Sequence, residues 1–132
     1  MAISNFHETM LCYAKQKSLF TKQITDIQFT IIAGTRKSLA LQTQYNQKLQ
    51  NYYYQYRDRD DLQAEYQALC DELETEYEYN LQNINSWEQE LESRKENLDL
   101  RIAEITQQET AIKSLMKNNF KQDFTYGGAQ QG

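Results

Sequence analysis

From Phe6 to Tyr52, apolar side chains recur at alternating steps of four and three residues. That spacing places one stripe on one side of an α-helix, and a stripe sustained for so many turns requires a partner helix. The stripe runs Phe6, Met10, Tyr13, Lys17, Phe20, Ile24, Ile27, Ile31, Gly34, Ser38, Leu41, Tyr45, Lys48 or Leu49, Tyr52. A second stripe runs Leu62, Tyr66, Leu69, Leu73, Tyr77, Leu81, Ile84, Trp87, Leu91, Arg94, Leu98, Ile102, Ile105, Glu109, Ile112, Met116. From Leu69 to Leu81 it advances in successive steps of four, a stutter that locally unwinds a left-handed supercoil.

Little in the chain interrupts these stripes. The 132 residues contain no Pro and 4 Gly, of which Gly34 alone precedes the last six positions. That poverty excludes a turn-rich sandwich, barrel or doubly wound sheet. Between the stripes, Tyr56-Arg57-Asp58-Arg59-Asp60-Asp61 lacks any aliphatic residue and offers several turn-competent Asp. The expected fold is all-α: a long antiparallel two-helix hairpin, coiled-coil-like, in one domain over residues 1–119. Helix 1 covers about 6–56, the turn about 57–60 and helix 2 about 61–118. Asn5 with Glu8, and Asp60 with Gln63, resemble capping boxes for the two helices. Gly34 and the segment Asn83–Ser86 are two places where the rod could be jointed. A compact four-helix bundle of shorter helices is the alternative. A turn centred near Arg57 would set Gly34 against Leu81, Tyr45 against Leu69 or Cys70, Ile27 near Trp87 and Leu91, and Phe6 near Glu109 and Ile112.

Charge is divided between the halves. Residues 1–57 carry seven basic and two acidic side chains, net +5, and residues 58–132 carry seven basic and seventeen acidic, net -10. Helices of opposite sign attract when folded antiparallel, which selects partner and orientation more than it stabilises. The run Glu65–Glu92 holds nine carboxylates and no Lys or Arg. It reads as a solvated face, with docking of a basic partner as the functional alternative. Di-metal carboxylate bundles also need Glu-x-x-His motifs, and the sole histidine is His7. No catalytic constellation, phosphate loop, zinc spacing or other metal or cofactor motif occurs. Cys12 and Cys70 form neither a disulfide framework nor a C-x-x-C pair. The acidic balance argues against nucleic acid.

Not every apolar residue fits a two-helix seam. Leu11, Leu19, Phe29, Ile32, Leu39, Tyr53, Tyr54, Tyr79 and Leu100 fall off the stripes. A lone hairpin also has a thin core for its length. Phe29, Ile32, Tyr52, Tyr53 and Tyr54 are candidate interface residues, because tyrosine suits surfaces with one buried and one wet end. Phe120, Phe124 and Tyr126 join them from residues 120–132, an aromatic and Gly-rich tail beyond the helix stop at Lys117-Asn118-Asn119, expected as an extended arm that docks on a neighbour or as a frayed end, with Gly127-Gly128 breaking any helix. The expectation is a non-enzymatic, self-associating structural protein such as a filament or scaffold subunit. The alternative is an adaptor or chaperone-like coiled coil that binds a partner helix. With no Sec-type leader and no apolar run of membrane-spanning length, it is expected in the cytoplasm or exported by a leaderless route. Across residues 6–118 the layout resembles the helical-hairpin proteins of bacterial type III and flagellar export systems, which include filament subunits and stalk or chaperone proteins. The resemblance is one of architecture and assigns no residue a role.

Overall fold

The computed structural model describes the backbone of residues 2–131 and the side chains of residues 5–121. Two helices account for nearly all of it. α1 spans Ala2–Tyr56 and α2 spans Gln63–Gln131, with a 3-10 turn at Asp60–Leu62 between them. They pack antiparallel as a helical hairpin.

Both helices run through the positions where joints were expected. Gly34 and Asn83–Ser86 are helical, so the compact four-helix alternative does not apply. One Gly costs about 1 kcal/mol relative to Ala, too little to end a helix held by packing on both sides. The threonines, poor helix formers when free, are accommodated by back-bonding to their own helix. The hydroxyls of Thr25, Thr43, Thr75 and Thr106 donate to carbonyls four residues earlier at 2.8–3.0 Å.

The ends differ from expectation. α1 begins at Ala2, so Asn5 lies inside the helix and does not cap it; its carbonyl accepts from Thr9. Nothing from Ala2 onward forbids helix, and Ala is the best former. α2 does not stop at Lys117-Asn118-Asn119; its backbone stays helical through the expected tail, Gly127 and Gly128 included, to Gln131. Glycine weakens a helix but, unlike proline, removes no donor and creates no clash.

The reversal uses no glycine and no positive φ. The Arg57 amide donates to Tyr53 O at 2.9 Å, the Arg59 amide to Tyr56 O at 3.1 Å and the Leu62 amide to Arg59 O at 3.0 Å. Asp60 makes no cap; Arg59 occupies the N-cap position, without a side-chain capping bond. Gln63 acts in the opposite direction, its Nε2 donating to Tyr56 O and Arg59 O at 3.4 and 3.3 Å. Both carbonyls already accept a backbone amide, so Gln63 adds a second bond to each and ties the corner to the start of α2. The pairs Arg57–Asp58 and Arg59–Asp61 are exposed and contribute little.

Because the 3-10 turn extends the corner, the centre of reversal lies near Asp60 and Asp61 rather than Arg57. The register shifts accordingly. Gly34 meets Trp87 rather than Leu81, Tyr45 stacks on Tyr77 rather than opposing Leu69, and Glu109 pairs with Lys17 rather than lying beside Phe6.

The chain divides into two compact units. The turn unit, Ile27–Ser93, buries Leu73, Ile84 and Leu91, with Gly34 buried beside them. Ile27, Ile31, Leu41, Tyr45, Leu62, Leu69 and Leu81 are half-buried. Leu49, not Lys48, is half-buried, so α1 steps by four twice at Leu41, Tyr45 and Leu49. The stutter of α2 passes through Tyr77, the ring against which Tyr45 stacks. The end unit, Met1–Asp26 with Arg94–Gly132, buries Ile105 and half-buries Phe6, Met10, Tyr13, Phe20, Ile24, Leu98, Ile102 and Ile112. In it Lys17 Nζ reaches Glu109 Oε1 at 3.0 Å, and Arg101 lies 5.9 Å from the Phe20 ring centre.

Ile105→Ala should cost about 2 kcal/mol, near the low end for a buried aliphatic truncation, because a two-helix seam can partly collapse. Leu100→Ala, at a side chain 64% exposed, should stay within about 0.5 kcal/mol of the parent. Denaturant titrations followed by helical circular dichroism measure both, and equal losses would contradict the burial pattern.

Candidate interaction surface

Two kinds of surface stand out once the seam is removed: grooves where the helices meet, and apolar rows on their outer faces.

In the turn unit, an open groove of about 390 Å³ is lined by Ala33, Gly34, Lys37, Asn83, Ile84 and Trp87. Trp87 is 39% exposed, while half-buried Glu88 takes the adjoining seam position. On the α2 stripe of the end unit, Lys95 rather than Arg94 is half-buried. The indole is set aside from the seam because it rests on Gly34. A Cβ there would lie 2.7 Å from Trp87 Cζ3 and 3.2 Å from Glu88 Oε1. The small residue admits the large one, as close packing demands, and the ring's open side becomes a groove wall. A smaller groove of about 50 Å³ has Gln44 and Lys48 on one wall and Glu76 on the other.

Toward the turn the groove gives way to tyrosines. The Tyr45 and Tyr77 rings stack with centroids 4.6 Å apart and planes 18° from parallel. Tyr56 and Tyr66 approach to 5.8 Å, and the Tyr56 hydroxyl donates to Glu65 Oε1 at 3.5 Å. Tyr52 is half-buried, leaving Tyr53 and Tyr54 as the exposed members of the triplet, edge to face at 5.7 Å. Arg57 lies 5.5 Å from the Tyr54 ring centre. Partial burial pushes the Tyr45 hydroxyl above its usual pKa, with Glu74 next in effect. Burial and Glu65 do the same for Tyr56. Tyr66 is raised mainly by its hydrogen bond with Cys70.

The outer rows are more exposed. On α1, Phe29 is 67% exposed, Ile32 49% and Leu39 59%. They follow one another at helical spacing, with Arg36 between Ile32 and Leu39. On α2, Tyr79 is 64% exposed, one to two turns beyond Glu72 and Glu76. The end unit exposes Leu11, Leu19, Leu100, Leu115 and Phe120. Leu115 was hidden from sequence reasoning by its place beside Met116 on the stripe. The side chains of Phe124 and Tyr126 lie outside the described residues.

Lys17–Glu109 joins the helices in the end unit. In the turn unit, Arg36, Lys37 and Lys48 form no ion pair among the described residues. His7, Cys12 and the carboxylates of Glu65–Glu92 form no metal-type cluster among those residues, and Cys12 and Cys70 are free thiols. No described helix is long and apolar enough to cross a membrane. The exposed hydrophobic residues offer a binding surface. No protein-family model, curated protein or solved structure matches this chain.

A tyrosine whose hydroxyl titrates higher in the folded state holds its proton more tightly folded than unfolded. Stability from Tyr45, Tyr56 and Tyr66 is therefore intact below pH 10.0, their ordinary value, and is lost as the pH rises through the raised values. Melting temperatures across pH 8 to 12 should fall at the alkaline end, and Tyr45→Phe should flatten that fall. A second outcome concerns the groove. Gly34→Ala gains about 1 kcal/mol of helix propensity but drives a methyl into the indole. It should shift Trp87 fluorescence and lower the melting temperature, and adding Trp87→Leu should restore it.

Proposed function

We propose that this chain is a non-enzymatic structural protein, a helical hairpin that associates with itself as a filament or scaffold subunit. The observation carrying this reading is the mismatch between core and surface. Among the described residues, the buried hydrophobic ones are Leu73, Ile84, Leu91 and Ile105, whereas twelve large hydrophobic residues are exposed, most of them by more than half. Scattered apolar residues are ordinary on a protein surface. Here they recur at helical spacing on helices that have no third layer to cover them, which is how a subunit awaiting neighbours is built.

A second reading has one observation of its own. The groove at Trp87, with apolar walls and Lys37 at its rim, suits a helix from another protein, as in an adaptor or chaperone. The two readings separate by mass. Size-exclusion chromatography with light scattering should give a mass that rises with concentration for a self-assembling hairpin. A mass fixed at one chain over the micromolar to millimolar range would overturn the structural reading and leave the adaptor.

A further inference from the structure

The turn unit carries a pair of rows that match one another in spacing and in charge. On α1, Phe29, Ile32, Arg36 and Leu39 alternate apolar, apolar, cationic, apolar. On α2, Glu72 and Glu76 precede Tyr79. The cation stands four to seven residues beyond Ile32 and Phe29; the carboxylates stand three to seven residues before Tyr79. Laid antiparallel, the rows set Arg36 between Glu72 and Glu76 while Tyr79 covers Phe29 and Ile32. They cannot meet within one molecule, because Glu76 borders the groove shared with Gln44 and Lys48, whereas Phe29 and Arg36 lie on the back of α1, away from the seam.

Resting on the self-association proposed above, we infer that the occupant of the Phe29–Leu39 row is a second copy of this chain, docked through Glu72, Glu76 and Tyr79. Charge complementarity selects it. Residues 27–57 carry four basic side chains and no acidic one, and Arg36, Lys37 and Lys48 form no ion pair among the described residues. The facing half of a second copy is the most acidic surface in reach. The contact joins two different patches, so it is heterologous. After docking, one copy keeps its α2 row unused and the other its α1 row, and such contacts build rings or open chains rather than closed pairs. Arginine suits the joint because its fork can engage two carboxylates.

Charge reversal tests this on the full-length chain by sedimentation velocity. Arg36→Glu alone, and Glu72→Arg with Glu76→Arg alone, should each weaken association about ten-fold or more, through like charges set face to face. An equimolar mixture should recover wild-type association, since every contact between the two variants is again complementary. Wild-type association should also decline as salt is raised. Circular dichroism establishes that each variant remains helical, which these exposed positions permit. If wild type associates and the variants match it, or if the mixture fails to recover, this interface is wrong and self-association stands. If wild type is a monomer throughout, both are wrong.

Discussion

Two helices alone can bury only one stripe each, and that geometric limit governs the rest of the molecule. A residue on the stripe is screened from one side by its partner and remains open at its flanks. Hence most seam residues, including Phe20, Ile27 and Leu98, are half-buried. Burial of this kind contributes only part of the roughly 1.5–3 kcal/mol that a fully enclosed aliphatic or aromatic residue supplies. Stability must then accumulate along the length, from many weak layers rather than from one compact core.

Where larger groups must be fitted, the helices adjust locally. Gly34 lets the indole of Trp87 lie against the α1 backbone. The step of four on each helix at Tyr45 and Tyr77 turns two rings toward one another, and they stack nearly parallel. A supercoil that unwinds at that point directs its side chains more squarely across the interface. Offset stacking of this type contributes about 0.5–1.5 kcal/mol beyond the area it covers. The polar layer at Lys17 and Glu109 is the counterpart in the end unit, and fixes alignment more than it stabilises.

Fold class and helix faces were legible because both follow from period and from missing punctuation. A 4-3 spacing without Pro leaves a chain few options. The register was less legible. It depends on where the corner is centred, and Asp60–Leu62 adds a 3-10 turn that composition does not announce. An error of a few residues there is carried unchanged along both helices, which is why Leu81 was expected where Trp87 stands. The capping boxes at Asn5 and Asp60 failed for a related reason: such signatures state what a side chain can do, not whether the backbone stops there. The charge division was visible at once, yet among the described residues Arg36, on the outer face of α1, forms no ion pair, nor do Lys37 and Lys48 at the grooves. Phe29 and Ile32 were recognisable as surplus from their phase alone, and they are exposed; Leu11 and Leu39, whose phase also allowed a mere widening of the stripe, are exposed as well.

The corner itself leaves a consequence for how this shape could diversify. It is closed by main-chain bonds and one amide side chain, with every backbone angle in territory open to ordinary residues. No position from Arg57 to Gln63 is reserved for a particular amino acid by stereochemistry. Directionality is stored in the facing stripes, so this apex is free to drift, lengthen or acquire a recognition segment of its own while the stem beneath it keeps its alignment.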